Sequence, residues 1–282
     1  MAAMNTETLT ANAYDEVNHY ASMKPELTPT VTNLTMTAEM FEKLYLTPKT
    51  PRAGDNIRRF ANPTPLGFVG SFVISAMTFS MVLMGWGGAE GFSALAGMFL
   101  FVGPLLLLLT LIFEFLLGNF FSMMVCGLFC VFWLSFGVLQ FPTLDLAGAY
   151  SSTGSAAEGS ASHAFNAVIA LYLVVWGFAL VTFTIFTLKT NIVFVGMFVT
   201  VTAGAWVMSG AYWKVSSGDY GSAHQLETAA GALFFVAGSL GWYITFVIMA
   251  AEMRLSTKLP VGDLSQYWAR TDRDIAVVEA EA

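Results

Sequence analysis

The chain has 282 residues, of which 56% are hydrophobic and only 11% are charged, and its formal net charge is -7. Soluble domains carry about 25% charged residues, so this composition excludes a soluble globular enzyme. It also excludes an intrinsically disordered chain, and an acidic chain without a basic stripe does not suit nucleic-acid binding. Only eight charged residues lie in 62–251. The sequence therefore predicts an all-α, polytopic membrane protein with two polar tails.

Six apolar runs are long enough to cross a bilayer, which takes about 20 residues. In chain order we place these spans at 66–86, 92–117, 120–141, 163–188, 192–213 and 228–251. Pro104 lies inside the second run, where we expect a kink and not a break. The predicted organisation is a largely disordered tail over 1–61, a membrane domain over 62–251 and a second tail over 252–282.

The distribution of basic residues orients these spans. Eleven of the 12 Lys and Arg residues lie in the two tails and in the turn at Lys189, whereas the opposite side carries only Lys214. Under the positive-inside rule, both tails are predicted to be cytosolic. We expect a plasma-membrane location, with the vacuolar and endoplasmic reticulum membranes as alternatives.

Residues that could support intramembrane catalysis are not arranged for it. The spans hold no paired acids, no zinc-ligand spacing and no Ser/His/Asp set, so we predict no enzyme, no catalytic residue, no metal site and no cofactor. Cys126 and Cys130 lie four residues apart on one helix face and are predicted to be small packing residues. The Ser-rich stretch 151–160 is predicted to be a flexible outer loop.

A Pro-rich hexapeptide opens the first span and is the first candidate site. It consists of Asn62, Pro63, Thr64, Pro65, Leu66 and Gly67. Asn is a good helix cap and Pro suits a first turn, so a helix starting here would leave the amides of Thr64, Leu66 and Gly67 without helical acceptors. Free amides at a helix N-terminus favour an anion. The alternative is a well-capped helix with no ligand.

Glu114 is the second candidate, because it is the one acid clearly inside a span. Acids in lipid are costly and point to a function, here proton coupling. The alternative, which we favour, is a structural ion pair with Lys189 or Arg254 at the cytosolic helix ends.

Several of these segments together resemble the acetate uptake transporter family, which includes the bacterial succinate–acetate permease and fungal acetate and ammonia-export proteins. The matching segments, in chain order, are 62–67 (N-P-T-P-L-G), 114–119 (E-F-L-L-G-N), 132–136 (F-W-L-S-F), 187–189 and 259–262 (L-P-V-G). Further matches at 41–46 and 210–213 are similar to its filamentous-fungal AlcS-like branch.

The resemblance implies a homohexamer in the lipid bilayer, with six spans and one pore in each subunit, that carries acetate or a similar small carboxylate, with proton coupling in some members. It implies a pore constriction at Ser71, Phe129 and Val201, with Phe72 adjacent. Relatives carry an aromatic residue at the Ser71 position. The alternatives are export of ammonia or passage of a small neutral solute, and a membrane scaffold or acetate sensor that carries no solute.

Overall fold

The described part of the chain contains six helices that are long and apolar enough to cross a membrane, as the sequence predicts. The structure is a computed structural model and describes residues 61–256 and 259–268. The helices are α1 (Thr64–Leu83), α2 (Ser93–Leu117), α3 (Phe120–Leu139), α4 (His163–Thr187), α5 (Ile192–Ser216) and α6 (Tyr220–Glu252). We call the end of the bundle where α1 starts the tail side, and the other end the loop side.

The start of α6 differs from its prediction. It begins at Tyr220, eight residues before position 228, because Asp219 caps it: Oδ1 accepts a hydrogen bond of 3.1 Å from the amide of Ser222. The Lys214 ammonium also lies 3.1 Å from the Asp219 carboxylate. A cap extends a helix into polar residues that a hydropathy run leaves out. Glu227 therefore lies about two turns inside α6.

Two widened, π-helical segments bring α1 and α2 together. They span Val69–Ala76 in α1 and Met98–Val102 in α2. A Cβ added to Gly70 would lie 2.7 Å from the carbonyl oxygen of Val102, so the two backbones are almost in contact. The helix continues past Pro104 to Leu117, and the widened turn directly precedes this proline. Such π segments are frequent at functional sites.

Hairpin packing joins α2 to α3, α4 to α5 and α5 to α6, and α1 packs against both α2 and α6. Glycines form the seam between α1 and α6. A Cβ added to Gly231 would lie 2.9 Å from Leu83. A Cβ added to Gly241 would lie 2.4 Å from Phe72. In lipid, close packing of small residues replaces the hydrophobic effect as the cause of helix association.

The described part of the C-terminal tail folds back onto the tail side. The amide of Ile192 donates to the Gly262 carbonyl at 2.8 Å, and the indole of Trp268 donates to the Leu188 carbonyl at 2.9 Å. These bonds fix the tail to the turn between α4 and α5. The predicted disorder of 1–61 concerns residues that, except for Ala61, lie outside the described part of the chain.

The Ser-rich loop at 151–160 carries a defined hydrogen-bond network. The Glu158 carboxylate accepts hydrogen bonds from Ser151 at 2.5 Å, from Thr153 at 2.6 Å and from Ser152 at 3.0 Å. A short helix, Ala156–Ser160, places this carboxylate. Composition predicts flexibility here, but an acid spaced five to seven residues from three hydroxyls organises the loop.

Candidate solute pathway

A small cavity of about 50 Å³ lies inside the helical bundle. Its lining comes from α1, α3, α4, α5 and α6, and the four residues expected at a pore constriction all take part. These are Ser71, Phe72, Phe129 and Val201. The structure thus brings together residues that are up to 130 positions apart in the chain. That they restrict a pore stays a prediction.

Half of the residues that line the cavity are aromatic. Phe72 and Phe129 meet edge to face with ring centroids 5.1 Å apart, and Phe129 in turn meets Phe198 at 6.1 Å. Trp176 from α4 contacts Phe132 at 5.1 Å. Phe72 therefore does turn inward beside Ser71, because Gly241 on α6 leaves room for its Cβ. An apolar wall of this kind disfavours a bare charge.

Ser71 and Trp133 are two lining residues of this largely apolar wall, and their side chains are hydrogen-bonded to each other. The indole Nε1–H of Trp133 donates a hydrogen bond of 3.1 Å to Ser71 Oγ. Ser71 is 1% exposed and Trp133 is 3% exposed, and both line the cavity. Trp133 lies within the F-W-L-S-F motif, four residues after Phe129, and this spacing places the two residues on one face of α3. An indole N–H needs a hydrogen-bond partner when it is buried, and Ser71 provides it.

A buried polar cluster surrounds Glu114 on the tail side. Thr64 Oγ1 donates to one oxygen of the Glu114 carboxylate, and Asn119 Nδ2 donates to the other at 2.7 Å. Thr110 Oγ1 donates to the Pro63 carbonyl at 3.2 Å. The cluster ties the start of α1 to the end of α2 and the start of α3.

The prediction of an ion pair between Glu114 and Lys189 or Arg254 is wrong. Among the described residues, the partners of this carboxylate are neutral donors, and the ion pair that forms is Lys214–Asp219. Asn119 comes within reach because Gly118 adopts a left-handed conformation at φ 73° and reverses the chain after α2. This turn places a hydrogen-bond donor where a distant cation was predicted.

The hexapeptide 62–67 forms the predicted capped start of α1, but its amides are less available than predicted. Asn62 Oδ1 accepts from the Thr64 amide at 3.0 Å, and the Leu66 amide donates to the Pro63 carbonyl at 3.1 Å. Those two amides are therefore not free to bind an anion. The side chain offers a donor instead: Asn62 Nδ2 is buried, with no hydrogen-bond partner in 61–256 or 259–268.

Asn191 shows the same arrangement at the start of α5, and sequence reasoning missed it. Its Oδ1 accepts from the Phe194 amide at 2.9 Å. Its Nδ2 is buried and unpaired within the described residues. The helix starts are neighbours, because Phe68 of α1 meets Phe194 edge to face at 5.7 Å. An Asn directly before an apolar run was the available signal.

Comparison with known proteins identifies the group to which this arrangement belongs. The model described as the GPR1/FUN34/yaaH family matches residues 46–266. The chain belongs to this family. The match covers all six helices and the described C-terminal segment up to residue 266, and it confirms the family resemblance of the sequence motifs.

Individual members of the GPR1/FUN34/yaaH family are similar over most of their length. The chain is 38% identical over 265 residues to the protein alcS of Aspergillus fumigatus, covering 91% of this chain and 97% of that one. It is 31% identical over 216 residues to the acetate transporter protein patA of Penicillium expansum, covering 77% and 83%.

A solved structure shares the fold. The bacterial acetate channel SatP matches with a TM-score of 0.56 at 22% identity, over 72% of this chain and 99% of that one. The two chains therefore have the same fold.

Proposed function

We propose that the chain is a transporter or channel for acetate and related short monocarboxylates, and that it is not an enzyme. The observation that carries this proposal is the central cavity, where Ser71, Phe72, Phe129 and Val201 from three helices meet. The names of two relatives support the solute class, since one is an acetate transporter and the other an acetate channel.

On the tail side, the unpaired amide nitrogens of Asn62 and Asn191 form the mouth of the proposed pathway. Asn191 is the N-cap of α5, and Asn62 directly precedes the N-cap of α1, so both lie at helix starts, where the helix dipole favours negative charge. Buried donors without partners are rare in proteins, which supports a ligand or water at this place. In this proposal Pro63, Thr64, Pro65, Leu66 and Gly67 shape the mouth and hold Asn62 in position.

Between the mouth and the cavity, the solute passes the aromatic contacts of Phe68, Phe72 and Phe129. Removing a carboxylate from water costs several kcal/mol or more unless hydrogen bonds compensate. The short acid therefore crosses the aromatic zone most easily together with a proton. Glu114 is fully buried near the mouth, and we assign it a structural role there.

The proposed setting is a homohexamer in the plasma membrane with both tails in the cytosol. The charge asymmetry between the two sides supports the orientation. The helices α2 and α4 have the smallest buried share within one subunit, which leaves apolar faces for lipid and for neighbouring subunits. Protease protection of a C-terminal tag on intact cells tests the orientation, and the mass of the protein in mild detergent tests the assembly.

Uptake into liposomes that contain the purified full chain tests the transport function. We expect radiolabelled acetate to enter faster than into protein-free liposomes, and formate or propionate to compete. Ammonium efflux, followed in parallel, tests the second candidate, export of ammonia or a small neutral solute, which the apolar cavity wall favours. A chain that moves none of these solutes would be a scaffold or sensor, and the proposal would be wrong.

A further inference from the structure

We propose that the Ser71 hydroxyl, held in place by Trp133, is the hydrogen-bond donor that binds the carbonyl oxygen of the solute inside the cavity. This inference rests on the proposed function and makes it more specific.

The direction of the bond between the two residues decides what Ser71 can do. An indole N–H is a donor only, so Ser71 Oγ must be the acceptor in the 3.1 Å bond from Trp133 Nε1. The hydroxyl proton of Ser71 then points elsewhere. Within 61–256 and 259–268 this hydroxyl donates no hydrogen bond, and Ser71 lines the cavity.

Neighbouring packing holds this pair in one geometry. A Cβ on Gly103 would lie 2.9 Å from Trp133 Cδ1, so the glycine on α2 provides the space that the indole occupies. Phe79 and Phe99 contact the same indole with centroids 5.9 Å away. The ring cannot turn without disturbing these contacts. A hydroxyl fixed in advance binds a solute with little loss of entropy.

The cavity specifies which solute fits. A space of about 50 Å³ holds a molecule of only a few heavy atoms. The walls around Ser71 are largely aromatic and aliphatic, and this favours an uncharged form. The chemical class is therefore a short acyl compound with a carbonyl acceptor: a protonated monocarboxylic acid or its neutral amide. Acetamide is a probe of this class that lacks the charge.

The test measures KM for acetate uptake in liposomes, with acetamide as competitor. For Ser71→Ala we expect a KM increase of about two- to tenfold, the effect of one lost hydrogen bond, and weaker competition by acetamide. Ser71→Thr keeps the hydroxyl and should retain most of the affinity. Ser75→Ala is the matched control, because Ser75 Oγ donates to the Gly70 carbonyl at 2.6 Å and does not line the cavity.

Trp133→Phe keeps the aromatic volume and removes the N–H. We expect a smaller rise in KM than for Ser71→Ala, and no further rise when the two changes are combined, because Trp133 acts through Ser71. An unchanged KM and unchanged acetamide competition in a well-folded Ser71→Ala protein would overturn the inference.

Thermal stabilisation by acetate and acetamide in detergent keeps this inference separate from transport. Stabilisation that Ser71→Ala abolishes, in a protein without flux, would overturn the transport function and support the binding site. Neither stabilisation nor flux in the wild type would overturn both. If the wild type transports acetate and Ser71→Ala does not change flux or ligand stabilisation, the binding site alone would be overturned.

Discussion

Phe72 on α1 and Phe129 on α3 meet edge to face with their ring centroids 5.1 Å apart, at the wall of the central cavity. The contact joins two helices that pack mainly against other partners. α1 packs on α2 and α6, and α3 packs on α2. The ring pair therefore links α1 to α3 at the cavity wall, and we predict that a solute crossing the cavity passes it.

Replacing Phe129 by Ala should open this passage. We expect a free energy of unfolding lower by about 3–5 kcal/mol, because a buried aromatic is lost, together with faster flux or uptake of acids larger than acetate. Leu107→Ala is the control, since Leu107 is buried at 1% exposure but does not line the cavity. It should lose stability without a change in selectivity. If a well-expressed Phe129→Ala protein had the same selectivity among acids as the wild type, this residue would lie outside the pathway.

Replacing Ser71 by Phe should narrow the cavity, because Ser71 lines it. Overpacking costs about 1–3 kcal/mol and leaves the Trp133 indole without its acceptor. We expect propionate uptake to fall more than acetate uptake. Competition between the two acids in the same liposomes measures this ratio, and a ratio equal to that of the wild type would contradict the prediction.

Asn62→Ala should impair entry of the solute at the proposed mouth of the pathway. The change removes the acceptor for the Thr64 amide and the unpaired Nδ2, and a lost cap costs about 0.5–2 kcal/mol. Uptake per molecule at the surface should fall. Asn166→Ala is the control, because Asn166 Nδ2 is paired with the Ser160 carbonyl at 2.7 Å on the loop side. It should lower stability and leave uptake per molecule unchanged.

Glu114→Gln should act on stability and not on proton coupling. The amide cannot accept from both Thr64 and Asn119, so we expect a loss of about 1–3 kcal/mol in the free energy of unfolding. Thr64→Val removes one donor of the same cluster and should have a similar effect. Flux measured from pH 5 to pH 8 should keep its profile in both variants. A shifted profile in Glu114→Gln alone would make this residue a proton carrier.

The loop around Glu158 should tolerate acid. Hydrogen bonds from Ser151, Thr153 and Ser152 lower the pKa of Glu158 from its ordinary value of 4.5 to about 2. Because folding lowers this pKa, the stabilisation is complete above pH 4.5 and is lost as the pH falls through about 2. Hydrogen-exchange protection of the Thr153 amide should therefore persist at pH 4. Glu158→Gln should remove this protection at pH 4 and also above pH 4.5.

The sequence by itself determined the number, order and approximate bounds of the six helices. A run of about 20 apolar residues is a local property, and a bilayer leaves such a run almost no structure other than a helix. The motifs also indicated Ser71, Phe72, Phe129 and Val201, although only through resemblance to other proteins.

Tertiary structure alone decided which atoms meet. Helices in lipid are apolar on nearly every face, so periodicity does not show which side of α3 carries Trp133 towards Ser71. The widened segment of α1 changes the angular spacing of its side chains in a way that the sequence does not predict. The partners of Glu114 likewise depend on the reversal at Gly118, which brings Asn119 to a carboxylate that composition pairs with Lys189 or Arg254. Contacts across helices follow from backbone approach, and that approach is set by the whole bundle.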